Sequence, residues 1–190
     1  MQPQIAILGW GSLLWEGGTD FDRHHGDWQF DGPTLRLEFS RISTSRLGAL
    51  TLVINPLHGS PATIAWCLSK RERPDDALAD LRRREGCATR DIACLDLAAE
   101  GPQPEDVVDV QTWGRAQGLD FVVWTALRSN FSEKMERPFT VANAVEYVQH
   151  LGSAAKMKAA EYVWRAPDFV RTPVRAALQQ EPWFARDESG

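Results

Sequence analysis

The sequence predicts an α+β domain built on a curved antiparallel or mixed sheet. Two observations predict it. The first two thirds of the 190-residue chain carry many short strand patterns with few helices between them, and the last third switches to helical spacing. Because strands and helices do not alternate strictly, the order favours α+β.

The predicted strands begin almost at the N-terminus. The apolar, β-branched run at 5–8 leads directly into Gly9-Trp10-Gly11-Ser12. Residues 35–39 alternate apolar and polar side chains, as a half-buried strand does. By the same reasoning, further strands are predicted at 50–54, 62–68, 90–97, 107–113 and 119–127.

Residues typical of helix starts and ends predict three helices. Pro74 near the start, acidic residues in the first turn and Gly86 beyond the end predict the first helix. Thr140 is a predicted N-cap, followed by an apolar stripe that ends before Gly152. Thr172-Pro173 opens a short last helix.

Composition predicts one globular domain over 1–190 with a flexible tail at 185–190. The net charge of −5 argues against non-specific nucleic-acid binding. We expect no membrane span and no secretory signal, because no apolar run is long enough and no basic segment precedes one. Three cysteines fit reduced thiols, so a cytoplasmic protein is expected.

The glycine-rich segment after the first strand is the first candidate site. Gly9 and Gly11 permit backbone angles that turn amide N–H groups toward one point, and Ser12 adds a hydroxyl. Such a loop can bind an anion. An ordinary tight turn between core elements explains the pattern equally well.

Two arginines lie in the second candidate, Ser40-Arg41-Ile42-Ser43-Thr44-Ser45-Arg46. The guanidinium groups of Arg41 and Arg46 match the geometry of a carboxylate. A solvated loop between strands is the alternative.

Glu85 is the third candidate, since a carboxylate is disfavoured at the negative end of a helix. That field, with partial burial, would raise its pKa toward that of a general base. Arg82, one turn earlier, could instead pair with it and lower the pKa. These residues alone leave both possibilities open.

The segment Leu8-Gly9-Trp10-Gly11-Ser12-Leu13-Leu14-Trp15 resembles the Tyr-Gly-Ser-Leu signature of the γ-glutamylcyclotransferase superfamily, nearest its ChaC-like branch. Trp10 stands where the family usually has tyrosine. Arg46-Leu47-Gly48, the segment 59–68 and Arg84-Glu85-Gly86-Cys87 resemble later family motifs in the same order. The likeness covers roughly 5–127 and implies a small β-barrel with flanking helices.

The resemblance also implies a reaction and its residues. The α-amino group of a small-molecule γ-glutamyl amide would attack its own γ-carbonyl, giving 5-oxoproline and a free amine, with Glu85 as general acid and base. The amides of Gly11, Ser12 and Leu13 would bind an anionic oxygen.

Further implied roles concern the walls of the site. Trp10 would line the pocket, and Arg41 or Arg46 would hold the remaining carboxylate. No metal and no cofactor is implied. The alternative to an enzyme is a non-catalytic module that uses the same barrel to bind a small metabolite or a partner protein.

Overall fold

The structure, a computed structural model, describes residues 2–100 and 105–184; the predicted tail at 185–190 lies outside these residues. The described part combines seven strands with six α-helices, which confirms the α+β class. The strands are β1 (Ile5–Gly9), β2 (Thr34–Ile42), β3 (Leu50–Ile54), β4 (Ser60–Thr63), β5 (Ala65–Leu68), β6 (Ile92–Asp96) and β7 (Phe121–Thr125).

The helices are α1 (Pro74–Glu85), α2 (Glu105–Ala116), α3 (Phe131–Met135), α4 (Val141–Gln149), α5 (Ser153–Arg165) and α6 (Pro173–Gln180). Short 3-10 helices cover Gly11–Leu14, Asp20–His24, Thr44–Arg46, Thr89–Asp91 and Pro182–Phe184. Among the described residues, none of the helices combines the length and the apolar character that crossing a membrane requires.

Two compact units make up the fold. The first comprises Met1–Leu35 and Thr63–Leu127, and the second comprises Arg36–Ala62 and Arg128–Gly190. Each unit contains one sheet: the order is β5-β1-β7-β6 in the first and β3-β2-β4 in the second. The four-stranded sheet is mixed, because β1 runs parallel to β7 and antiparallel to β5.

The closed barrel implied by the resemblance does not form among the described strands, which make two separate sheets. At the β5 edge of the first sheet, the neighbouring segment makes only isolated bridges, at His25–Ser69 and Gln29–Trp66. Gly32 and Pro33 follow a few residues later, and such residues interrupt regular strand pairing. The sheet therefore ends in an irregular edge.

The prediction of one continuous strand at 62–68 is wrong. It is divided into β4 and β5, with Ile64 in neither, and the two strands belong to different sheets. The Ile64 amide donates to the Pro33 carbonyl and its carbonyl accepts from the Gly32 amide, so this residue pairs with the irregular segment. Alternation of apolar residues reports burial but not the identity of the partner strand.

The strand predicted at 107–113 is also wrong, because these residues lie in helix α2. The valines in this segment suggested a strand, but buried Val110 and Gly114 are four residues apart, the spacing of one helix face. A Cβ atom on Gly114 would lie 2.7 Å from Cδ1 of Leu97. Glycine thus lets α2 pack closely against its neighbours.

Helix α1 forms as predicted and covers one face of the first sheet. Pro74 occupies its first turn, and Gly86 ends it in the left-handed conformation at φ 61°. Ala77 and Leu81 are fully buried in a core that also contains Ile7 and Leu13. The helix is therefore fixed against β1 and against the turn that follows β1.

The second unit is organised around β2 and the C-terminal helices. The predicted cap at Thr140 is confirmed, since its hydroxyl oxygen accepts a hydrogen bond from the Asn143 amide at 3.1 Å. Thr172 caps α6 in the same way through the Arg175 amide. In this unit, Glu38 of β2 is completely buried.

Burial raises the pKa of Glu38, although hydrogen bonds from Thr172 and from the amides of Phe39 and Val174 oppose the shift. A raised pKa in the folded state means that Glu38 stabilises the fold below its unfolded pKa. This contribution is lost as the pH rises through the folded value. We expect Glu38→Gln, which cannot titrate, to lose less stability than the wild type as pH rises from about 4.5 to 7.5. Urea unfolding at several pH values measures this, and parallel profiles for the two proteins would contradict it.

Candidate functional site

The candidate site in the first unit begins at the turn after β1. A Cβ atom on Gly9 would lie 2.5 Å from the Trp28 ring, so glycine is needed there for space. Gly11 has φ 62°, a backbone conformation that other residues rarely adopt. Glycine is therefore required for different reasons at the two positions: close packing at Gly9 and backbone conformation at Gly11.

The backbone after Gly9 turns into the 3-10 helix Gly11–Leu14, with Trp10 as its N-cap. In an i→i+3 ladder that starts from the Trp10 carbonyl, Leu13 is the first amide in register with a helix acceptor. The amides of Gly11 and Ser12 precede the ladder. Of the three amides predicted to bind an anion, these two are therefore the stronger candidates.

Glu85 is the last residue of α1 and is half-buried. Gly86 follows it, and its amide donates to the Arg82 carbonyl to close the helix end. The charge of Glu85 contributes to the raised pKa of Cys87, after the larger effect of burial. Glu85 is thus held by a well-formed helix end rather than by a flexible loop.

Arg84 connects the helix end to the turn. Its side chain is only 10% exposed, and its Nη2 donates to the carbonyl oxygens of Ser12 at 3.2 Å and Glu16 at 2.9 Å. The Glu16 carboxylate lies 3.8 Å from the same nitrogen. The residue next to Glu85 is therefore bound to the backbone of the proposed anion site.

Arg84 is a site residue that the sequence pattern did not predict. Three consecutive arginines usually form a solvated helix face, and Arg83 fits that pattern with a side chain 59% exposed. Yet Ala77, Leu81 and Arg84 follow the i, i+4, i+7 spacing of the buried face of α1. This spacing indicates in the sequence that Arg84 lies on the buried face of the helix.

A second arginine cluster anchors the same helix. The Asp80 carboxylate, 4% exposed, accepts two hydrogen bonds from Arg71, at 2.6 and 3.0 Å, and one from Arg83 at 2.8 Å. Burying a carboxylate is costly unless it is paired and hydrogen-bonded, as it is here. These contacts fix α1 five residues before Glu85.

Arg41 and Arg46 belong to the second unit. The Arg41 guanidinium donates to the Arg128 carbonyl at 2.9 Å, and Arg46 stacks over the Tyr162 ring at 4.8 Å. Both arginines thus have partners inside their own unit.

Trp10 and the three cysteines lie in surroundings that indicate structural roles. Trp10 is buried at the N-cap of the 3-10 helix. Burial raises the pKa of the thiols of Cys67, Cys87 and Cys94, which disfavours the thiolate that nucleophilic chemistry requires. Within residues 2–100 and 105–184, no group of three or more His, Cys, Asp or Glu side chains is arranged to hold a metal ion.

A comparison with models of known protein families finds no match to this chain, and a comparison with curated proteins finds none either. In the first unit, the side chain of Arg84 connects the backbone of the glycine turn to the end of α1, where Glu85 is the last residue.

Proposed function

We propose that this chain belongs to the γ-glutamylcyclotransferase superfamily and converts a γ-glutamyl amide into 5-oxoproline and a free amine. The observation that carries the proposal is the pair of hydrogen bonds from Arg84 to Ser12 and Glu16. They link the turn that resembles the family signature to the helix end that carries Glu85. The three free cysteines fit a cytoplasmic setting for this activity.

The reaction requires a deprotonated amine. At neutral pH the α-amino group of the substrate is mostly protonated, so its nitrogen cannot attack. The Glu85 carboxylate accepts one proton from this ammonium group. The free amine then attacks the γ-carbonyl carbon, and a new C–N bond closes the five-membered ring.

Ring closure places negative charge on the γ-carbonyl oxygen. The amides of Gly11 and Ser12, with the Ser12 hydroxyl, donate hydrogen bonds to this oxygen or to the α-carboxylate. Loss of one such donor typically costs about 10²–10³ in rate. When the tetrahedral intermediate collapses, the original amide C–N bond breaks and Glu85 gives its proton to the leaving amine. The Glu85 carboxylate then takes the second proton from the ring nitrogen and passes it to the released amine, which departs as an ammonium ion. The carboxylate is thereby regenerated.

Much of the acceleration comes from orientation, since both reacting groups belong to one molecule. Holding the γ-glutamyl chain in its cyclising rotamer supplies this effect. In the proposal, Trp10 walls the pocket. This scheme requires neither a metal nor a cofactor.

Product analysis tests the proposed function. The purified chain is incubated with glutathione, γ-glutamyl dipeptides and γ-glutamyl amines, and 5-oxoproline is measured by chromatography. The α-linked glutamyl dipeptide is the matched control, because its γ-carboxyl group carries no amine to release. We expect 5-oxoproline from at least one γ-linked compound and none from the α-linked isomer.

Absence of 5-oxoproline with every γ-linked compound would contradict the proposed reaction. Calorimetry on the same panel then tests the alternative hypothesis, a non-catalytic module that binds a small metabolite or a partner protein. Saturable binding of a γ-glutamyl compound without turnover would support a non-catalytic binding module.

A further inference from the structure

A groove with mixed apolar and basic character runs along α5 in the second unit. Its volume is about 570 Å³. Leu47, Met157, Trp164 and Trp183 supply its apolar surface. Met157 is 69% exposed and Leu47 is 60% exposed, which is high for large apolar side chains.

The exposure of Leu47 is fixed by the fold. Leu47 has φ 57°, a conformation that non-glycine residues rarely adopt. Two hydrogen bonds at the next residue hold this turn: the Gly48 amide donates to the Ser43 carbonyl, and the Tyr147 hydroxyl donates to the Gly48 carbonyl at 2.8 Å. The chain therefore maintains an unfavourable backbone angle and presents an apolar side chain to solvent.

The rim of the groove is basic. Lys156, Lys158 and Arg165 line it, and Glu161 contributes the single carboxylate among its lining residues. Glu161 pairs with Lys158 at 2.9 Å and with Arg165 at 3.4 Å, so three positive charges face one negative charge. Lys156 stacks on the Trp183 ring at 5.4 Å, so its charge lies directly beside the apolar surface. This local excess of positive charge stands out in a chain whose net charge is −5.

We propose that this groove is a docking surface for a partner protein that presents an acidic amphipathic helix. Met157 and Trp164 lie seven residues apart on α5, about 10 Å along its axis, which matches two turns of a partner helix. Tryptophan is one of the residues most enriched at the energetic centre of protein interfaces, and Trp164 and Trp183 are both half-buried here. The basic rim selects acidic flanks on the partner.

The chain's own C-terminal residues fit this chemistry less well. Residues 185–190 follow Phe184 directly and include Asp187 and Glu188, but Ala185 is their only apolar side chain. They supply the complementary charge without a large side chain for the apolar surface. The occupant we infer is therefore a separate protein.

Fluorescence anisotropy with a defined probe tests the proposal. The probe is a labelled helical peptide of about 14 residues, with leucines on one face and glutamates elsewhere. Its matched control carries lysine in place of each glutamate. We expect the full chain to bind the acidic peptide and to bind the basic peptide at least roughly tenfold more weakly.

Two variants with the same substitution locate the binding. Met157→Glu places a charge in the groove, and Leu57→Glu places one at an apolar side chain that is 86% exposed and does not line the groove. We expect Met157→Glu to weaken binding at least roughly tenfold and Leu57→Glu to leave it unchanged.

Three outcomes would overturn the proposal. The first is no binding of the acidic peptide up to about 1 mM. The second is equal binding of both peptides, and the third is an equal effect of the two variants. In each case, vesicles of phosphatidylserine and phosphatidylcholine determine whether the basic rim binds an anionic membrane surface instead.

Discussion

Glu85→Gln is expected to lower the kcat for 5-oxoproline formation by about 10²–10⁴-fold, the range that general acid–base groups contribute. Glutamine keeps the size of the side chain but cannot accept the proton of the substrate ammonium group. Chromatographic measurement of initial rates at saturating substrate gives the effect on kcat. Glu85 is half-buried at a helix end, so thermal unfolding should change little.

The matched control for this prediction is Glu72→Gln. Glu72 is exposed and precedes the same helix, so its variant should retain the wild-type rate. Activity that survives in Glu85→Gln would show that another group acts as the base, and the assignment of Glu85 would be wrong even if the reaction is right.

Arg84→Met is expected to lower kcat by roughly 10–100-fold, because a small displacement of the reacting groups has effects of this size. Methionine fills much of the same volume without donating hydrogen bonds. The carbonyls of Ser12 and Glu16 then lose their connection to the helix that carries Glu85. We expect a stability loss of about 1–3 kcal/mol, so the assay is run well below the unfolding temperature.

Two further variants separate positioning from general damage. Arg83→Met removes a neighbouring, mostly exposed guanidinium that donates one hydrogen bond to Asp80. Because Arg71 still donates two hydrogen bonds to that carboxylate, kcat should stay near the wild-type value. Arg84→Lys keeps the charge but loses the planar fork, so intermediate activity is expected. If Arg83→Met and Arg84→Met lower kcat equally, the hydrogen bonds from Arg84 to Ser12 and Glu16 have no special role in positioning Glu85.

Local signals predicted the elements of the first unit that carry the candidate site. The strand before Gly9, the left-handed end of α1 at Gly86 and the position of Glu85 all follow from short-range rules about burial, glycine and helix ends. Each rule involves residues close in sequence. For this reason the location of the turn and of the carboxylate could be predicted without a structure.

Features that depend on distant partners could not be predicted in this way. The division of the strand at Ile64 depends on pairing with Gly32 and Pro33. The contact between Arg84 and Ser12 joins residues 72 positions apart. The error at 107–113 is different, since the spacing of Val110 and Gly114 was visible and only the β-branched composition suggested a strand.

The pairing of β1 has a consequence for protein synthesis. Its two neighbours, β5 and β7, begin at residues 65 and 121, so the apolar segment Ile5–Gly9 leaves the ribosome long before either partner exists. At typical elongation rates of about 5–20 residues per second, it waits for several seconds with both edges unpaired. Such a segment can pair with other chains during this interval. The nascent protein is therefore most vulnerable to aggregation before residue 125 has emerged, and chaperones that bind short apolar segments should act at this stage.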